Sequence, residues 1–167
     1  MTIRNLVIRD AVESDLPAIV AIFNEAVANG YSTAQTTPVT VESRIPWFRS
    51  HSPKRPFWVA EVDGKVAAWF SFQDFHDRSG YHITAEVSVY LTAAHQGHGL
   101  GKRLLEQAIA GAPKLGLRNL VGLVQAHNEH SVKLFTRAGF AEWGRLPKVA
   151  EMNGIERDLV IFGRRVP

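Results

Sequence analysis

The stretch His95–Ala112, HQGHGLGKRLLEQAIAGA, decides how this chain is read. Its glycines at 97, 99 and 101 run directly into a helical pattern. Leu100, Leu104, Leu105, Ala108 and Ile109 recur at the helical period, while Lys102, Arg103, Glu106 and Gln107 take the other face. A helix that packs by its leucines leaves the N–H groups of its first turn without intrahelical acceptors, and glycines there let an anion come close to those donors. A phosphate-holding loop is one reading, and a tight turn at a helix entry is the other. Two nucleotide loops do not fit. A Walker A motif needs glycine where Gln96 stands and Ser or Thr where Arg103 stands, and the spacing 97, 99, 101 is not G-x-G-x-x-G.

Upstream of this loop lies ITAEVSVYL (83–91), an apolar and β-branched run that reads as a strand. Further back, FWVAEV (57–62) and KVAAWFSFQ (65–73) flank Asp63–Gly64, a strong hairpin signal, and DFHDRSGYH (74–82) reads as a loop. Toward the N-terminus, LVIRDA predicts a short strand. After it comes a helix with Ser14 or Asp15 as N-cap, Pro17 in its first turn, apolar Leu16, Ile19, Val20, Phe23 and Val27, and Gly30 as its stop. TVESRIPWFRSH (40–51) predicts a second helix capped by Thr40, with Pro46 removing a donor from its middle. Downstream, RNLVGLV reads as a strand, EHSVKLFTRAG as a helix closed by Gly139, and FAEWGRL and ERDLVIFGRR as two last strands. The predicted order β α α β β β α β α β β is a mixed α/β layer structure.

The chain has 167 residues, 46% of them hydrophobic, which suits one domain spanning 1–167 with a buried core. No repeat, low-complexity tract or shift in composition marks a linker. No apolar run is long enough to span a membrane, and MTIRNLVIRD lacks the apolar segment of a signal peptide, so a cytoplasmic protein with no membrane partner is expected. The absence of cysteine excludes disulfides, thiolate zinc sites and a cysteine nucleophile. A formal charge of +3 with scattered basic residues permits an anionic ligand but does not suggest nucleic acid. Seven histidines include the spaced pairs His95/His98 and His127/His130, but neither pair has a carboxylate cluster beside it, so no metal is expected.

One carboxylate stands out. Strand alternation sends Val87, Val89 and Leu91 to one face and Thr84, Glu86, Ser88 and Tyr90 to the other. A mid-strand glutamate in a sheet covered on both faces is costly unless it lines a cleft. Glu86 is therefore the candidate general base; the alternatives are a solvated glutamate on an edge strand or a structural ion pair. Asn128, before the helical run 129–139, reads as an N-cap.

The His95–Ala112 stretch resembles the pyrophosphate loop of the Gcn5-related N-acetyltransferases, whose pattern Q/R-x-x-G-x-G/A is met by Gln96, Gly99 and Gly101. NEHSVKLFTRAGF (128–140) resembles the N-x-x-A/S helix and G-F turn of the same family, and RDAVESDLPAIVAIFNEAV and AEVSVYL resemble its first strand and helix and its fourth strand. Within it, FNEAV, TPVTVESRIPWF, SVYL and RDLVIFG are similar to the phosphinothricin acetyltransferase-like branch. The resemblance implies a mixed, mostly antiparallel central sheet with helices on both faces. It also implies transfer of an acetyl group from acetyl-CoA to a primary amine by direct attack, and a homodimer.

It further implies roles for individual residues. Gln96, Gly97, His98, Gly99, Leu100, Gly101 and Lys102 would meet the CoA pyrophosphate, with Arg103 either assisting or merely solvated. Asn128 would hold the pantetheine arm as well as cap its helix, with Ser131 beside it. A backbone N–H near Val89, Tyr90 and Leu91 would face the developing oxyanion. Glu86 matches the glutamate this branch carries in that strand, and a carboxylate gives the ammonium proton of the acceptor somewhere to go. The tyrosine that commonly protonates the leaving thiolate, seven residues after the asparagine, is here Phe135, so Tyr90, Ser131 or water would substitute.

For the acceptor, the candidates are Tyr31, Thr33, Thr37, Phe75, Arg78, Tyr81 and His82, in the loops YSTAQTTP and FHDRSGYH. Better-known members of the branch carry an arginine directly after an aromatic residue in the second loop. Here Phe75 is followed by His76, which cannot form a bidentate clamp on a carboxylate or phosphinate. A small amino acid or analogue of the phosphinothricin or methionine sulfoximine type is the expected acceptor. A protein or peptide N-acetyltransferase and a non-catalytic acyl-CoA sensor are the alternatives.

Overall fold

In the computed structural model, which describes residues 2–167, the elements follow the expected order. They are β1 (Val7–Asp10), α1 (Leu16–Asn29), α2 (Val41–Arg49), β2 (Phe57–Val62), β3 (Lys65–Asp74), β4 (Thr84–Leu91), α3 (Leu100–Gly111), β5 (Asn119–Gln125), α4 (Glu129–Arg137), β6 (Ala141–Met152) and β7 (Ile155–Arg165). The strands form one sheet in the order β1-β2-β3-β4-β5-β7-β6, with every neighbouring pair antiparallel except β4 and β5. Asp63 and Gly64 both take positive φ, 51° and 78°, and close the β2–β3 hairpin as expected.

Strand alternation places the two faces of the sheet against two helical layers. Ala85 and Val87 of β4, Phe70 and Phe72 of β3 and Leu120 and Val124 of β5 pack with Leu100, Leu104, Leu105 and Ala108 of α3 and Phe135 of α4. The opposite face carries Trp69 and Val59 against Leu16, Ile19 and Ile22 of α1, with Ile45, Trp47 and Phe48 of α2 and Tyr90 of β4 beside them. The leucine stripe of α3 is fully buried, each such side chain stabilising the fold by roughly 1.5–3 kcal/mol.

Two local features, at Asp15 and in β6, differ from the sequence reading, each for a physical reason, while Pro46 stays within its predicted helix. Asp15 does not cap α1 with its side chain; its carboxylate instead accepts the Val12 N–H at 2.8 Å and pairs with Arg9 at 2.8 Å, tying a short turn before α1 to β1. Pro46 stays inside α2, an exposed position in a nine-residue helix where one lost bond is tolerated. β6 runs well beyond Leu146, through Pro147 to Met152. It is an edge strand, where proline is admissible, and its register with β7 shifts between Leu146 and Ala150. The turn that follows is Asn153–Gly154, with φ of 53° and 76°, a second two-residue hairpin signal of the same kind as Asp63–Gly64.

Candidate active site

The parallel pair β4–β5 is short. Thr84, Ala85 and Glu86 pair with Asn119, Leu120 and Val121, and neither strand finds the other beyond that point. β4 continues to Leu91 on its β3 partner, and β5 to Gln125 on β7, so the two strands part like the arms of a V. Backbone polarity along β4 can be assigned from its ends. The Ile83 carbonyl accepts the N–H groups of Arg118 and Asn119, toward β5, while the Thr92 N–H donates to Ala67 on the β3 side. Alternation then turns the backbone groups of Val87, Val89 and Leu91 into the open V. A ligand with a carbonyl or amide can bond there without disturbing the sheet.

The loop 92–99 leads from the β4 arm into α3. The Arg103 N–H bonds to the Gly99 carbonyl at 3.1 Å, and among the described residues no acceptor is found for the backbone N–H groups of Gly97, His98, Gly99, Leu100, Gly101 and Lys102. Gly97 and Gly99 have φ of 78° and 85°, which β-carbon sterics disfavour in any other residue. Gly101 differs. It is buried and helical, and a methyl group there would meet Leu134 at 3.4 Å and Leu91 at 3.5 Å, an ordinary contact. Its small size lets α3 approach β4 and α4, and its N–H belongs to the acceptor-free set. Gln96 and His98 are exposed on the loop, and exposed Lys102 lies 3.7 Å from Glu106 one turn on.

Asn128 ends the loop after the β5 arm. Its Oδ1 accepts the Ser131 N–H at 3.2 Å and its Nδ2 donates to the Ser131 hydroxyl at 2.9 Å, which leaves one amide proton free at a buried position. Phe135 does not reach the V as a polar group would. It is buried against Phe140 and Phe162, with its ring so close over Gly122 that a β-carbon there would lie 2.4 Å from it.

Glu86 sits on β4 beside Gln73 of β3, in the middle of the sheet. Among the described residues it has no ion-pair or hydrogen-bond partner, and burial raises its carboxyl above the usual carboxylate range. It is therefore neither an edge glutamate nor a structural ion pair. Ser88 and Tyr90 continue its face and line a cavity of about 150 Å³ with Gln73 and Trp69 of β3, Ile19, Val20 and Phe23 of α1, Val39, and Arg44 and Trp47 of α2. The Tyr90 hydroxyl donates to the Ser32 carbonyl at 3.3 Å and is pushed up chiefly by burial, with Thr33 beside it pulling the other way. A broader depression of about 310 Å³, between α3 and the C-terminus, is lined by Glu106, Ile109 and Arg164 and by none of the candidate site residues.

Of the residues expected at the acceptor, Thr33 adjoins this cavity through Tyr90. Tyr31 stacks on His127 at 5.5 Å, and His127 in turn bonds the Gly30 carbonyl at 3.1 Å. Thr37 is engaged with Gln35 in a local turn. Phe75, Arg78, Tyr81 and His82 are all exposed on the loop before β4, outside the cavity lining; Phe75 and Tyr81 meet edge to face at 5.8 Å, and the His82 ring bonds the Ser79 carbonyl at 2.9 Å. Sequence reasoning missed Phe23, Arg44, Trp47, Trp69 and Gln73. The signal was present in SRIPWF, where Arg44 stands three residues before Trp47 on an otherwise apolar helical stripe. No three His, Asp or Glu side chains gather into a metal site among the described residues.

Comparison with known proteins agrees with this geometry. Residues 19–140 match the Acetyltransferase (GNAT) family. A Bacillus subtilis protein, YwnH, provisionally named a phosphinothricin acetyltransferase, is 48% identical over 96% of this chain and 99% of its own length. The L-methionine sulfoximine/L-methionine sulfone acetyltransferase of Pseudomonas aeruginosa is 36% identical over 93% of this chain and 91% of its own. The crystal structure of a phosphinothricin acetyltransferase from Sinorhizobium meliloti in complex with acetyl-CoA superposes with a TM-score of 0.90. It is 28% identical and covers 96% of this chain and 88% of that one.

Proposed function

The chain belongs to the GNAT acetyltransferase family and is an acetyl-CoA-dependent N-acetyltransferase; on that premise we propose that its acceptor is the α-amino group of a small amino acid or analogue, with Glu86 as general base. The observation that carries this is the opening of β4 from β5, with the acceptor-free N–H groups of residues 97–102 at the head of one arm and a small polar-and-aromatic cavity on the Glu86 face.

The residues present fit acetyl-CoA. The N–H groups of Gly97 to Lys102 and the positive end of α3 suit a pyrophosphate, with Gln96, His98 and Lys102 around it. The inward-facing backbone of Val87, Val89 and Leu91 and the free proton of Asn128, which Ser131 orients, suit the amides of the pantetheine arm. The co-substrate supplies the acetyl group as a thioester. The chain contributes the rest: Glu86 takes a proton from the acceptor ammonium, the Val89–Leu91 backbone offers N–H donors at the carbonyl to be attacked, and α1 and α2 exclude water from the cavity. Phe135 cannot give a proton to the departing sulfur. A free thiol titrates at about 8.5, so its expulsion as thiolate needs only modest help.

The cavity favours a small acceptor over a peptide, since α1 and α2 roof it. Of the acceptor candidates read from the sequence, Thr33 is the one tied to the cavity, through Tyr90. A homodimer is supported by the exposed Trp143, Leu146 and Val149 on edge strand β6. No helix is long and apolar enough to cross a membrane among the described residues, and dependence on acetyl-CoA favours the cytoplasm. Thiol release from acetyl-CoA over a panel of amino acids, sulfoximines and short peptides tests the proposal. Release with α-amino acids supports it; release with peptides alone, or CoA binding with no release, refutes it.

A further inference from the structure

The cavity on the Glu86 face holds a cation that the fold does not use. Arg44 extends from α2 over two rings, its guanidinium carbon 5.1 Å from the Phe23 centroid and 5.5 Å from that of Trp47. It lines the cavity and is partly buried, yet among the described residues it has no carboxylate, carbonyl or hydroxyl partner. Two other partly enclosed arginines are paired, Arg9 with Asp15 and Glu61, each at 2.8 Å, and Arg55 with Asp74 at 2.8 Å and the His82 carbonyl at 3.0 Å, whereas Arg44 is unpaired and lines a cavity. Rings that meet a guanidinium by its face fix its plane and leave the N–H groups at its edge free, which is the geometry of a bidentate carboxylate clamp.

The opposite charge is close by. Ser88 and Tyr90, which line the cavity with Arg44, lie on the same face of β4 as Glu86, and Gln73, in register with Glu86, lines it too. The Tyr90 hydroxyl responds to both charges, Glu86 pushing its titration up and Arg44 pulling it down. A space with an unpaired guanidinium in its helical roof, and an unpaired carboxylate next along the strand face that floors it, is complementary to a zwitterion.

We infer that Arg44 anchors the carboxylate of the acceptor, so that the cavity selects α-amino acids over amines of the same shape that lack the acid. This rests on the acetyl-transfer reading for its consequence in turnover, but the anchor itself is a binding claim. Arg44 is reached from α2, on the face of the sheet opposite α3, so it has no part in holding acetyl-CoA.

The test uses L-methionine sulfone and its carboxamide as paired probes, with the whole chain as wild type, Arg44→Gln and Arg44→Lys. Calorimetric titration gives binding, and thiol release from acetyl-CoA gives kcat and KM. Wild type should bind the carboxylate more tightly than the amide by about 30-fold or more, the scale of losing one partner of an enclosed charge pair. Arg44→Gln should abolish that preference while leaving the KM for acetyl-CoA unchanged, and Arg44→Lys should retain part of it as a point charge. Equal binding of the two probes by wild type, or binding of neither, overturns the anchor. So does an equal loss for both probes in Arg44→Gln, which would show that the guanidinium only packs the rings. Normal discrimination in binding with no thiol release from wild type would instead leave the anchor standing and overturn the transfer reading.

Discussion

Replacing Glu86 by glutamine keeps the shape of the side chain and removes the group proposed to take the acceptor's proton. Glu86 has no ion-pair or hydrogen-bond partner among the described residues, so the exchange breaks no pairing, and it relieves the burial that raises the carboxyl. Melting temperature should therefore stay level or rise. A positioned base contributes about 10²–10⁴-fold, so kcat should fall by that factor, or about 2.7–5.4 kcal/mol in activation free energy. The KM for acetyl-CoA should hold, because the loop 96–102 and Asn128 are untouched. The pH profile of kcat/KM is the sharper readout. In wild type the base form is lost as pH falls through a value above the usual glutamate 4.5, giving an acid limb there; in the variant that limb should vanish. Unchanged thiol release at pH 7, or an acid limb that persists in Glu86→Gln, would refute the assignment of the base.

Three further outcomes follow from the packing. Gly99→Ala forces a side chain into left-handed backbone at φ 85° and should cost about 1–2 kcal/mol and raise the KM for acetyl-CoA, whereas Gly101→Ala, which meets only ordinary contacts at 3.4 and 3.5 Å, should leave both nearly unchanged; thermal melts and steady-state kinetics compare them. Gly122→Ala drives a methyl into the buried Phe135 ring, 2.4 Å away, and should destabilise by about 1–3 kcal/mol, or about 2–12 °C in a chain of this size. The His51 ring bonds the Trp47 and Phe48 carbonyls through Nδ1, its buried Nε2 has no partner, and burial holds its titration below the usual 6.5. The folded state then binds fewer protons than the unfolded chain, so this contribution to stability is full above pH 6.5 and is lost as pH falls toward the lower folded value. Melting temperature followed from pH 7.5 to 5 should show that loss, and His51→Asn should flatten it.

What could be read in advance from the sequence, and what could not, divides along the range of the interactions. Asp63–Gly64 closes its hairpin, and Leu100, Leu104 and Leu105 bury their stripe, because backbone dihedrals and helical period are properties of neighbouring residues. The sequence pattern ends β6 at Leu146, and it is the edge position of the strand, which depends on the whole sheet, that lets it run through Pro147 to Met152. The glycines of the loop read alike in sequence, but they divide in space: Gly97 and Gly99 serve the backbone, while Gly101 serves the approach of α3 to Leu91 and Leu134. For Gly99 and Gly101, the two glycines the pattern names, that division matches a pattern that admits alanine only at the second.

The residues proposed for the cofactor side could be named in advance because loop, strand and cap each carry a local pattern. The acceptor side was not, since Arg44, Phe23, Trp69 and Tyr90 come from α2, α1, β3 and β4 and acquire a common purpose only when the sheet brings them together. An acetyltransferase built this way can keep its donor loop and alter its acceptor by changing the roof. Exchanging the aromatic pair that holds Arg44 is the change that tests this. Phe23→Leu with Trp47→Leu keeps the guanidinium but frees its plane, and two cation–π contacts of about 0.5–1 kcal/mol each imply a weakening of acceptor binding by about 5- to 30-fold, with acetyl-CoA unaffected. A parallel rise in the KM for acetyl-CoA would show that the two halves of the site are not separable in this way.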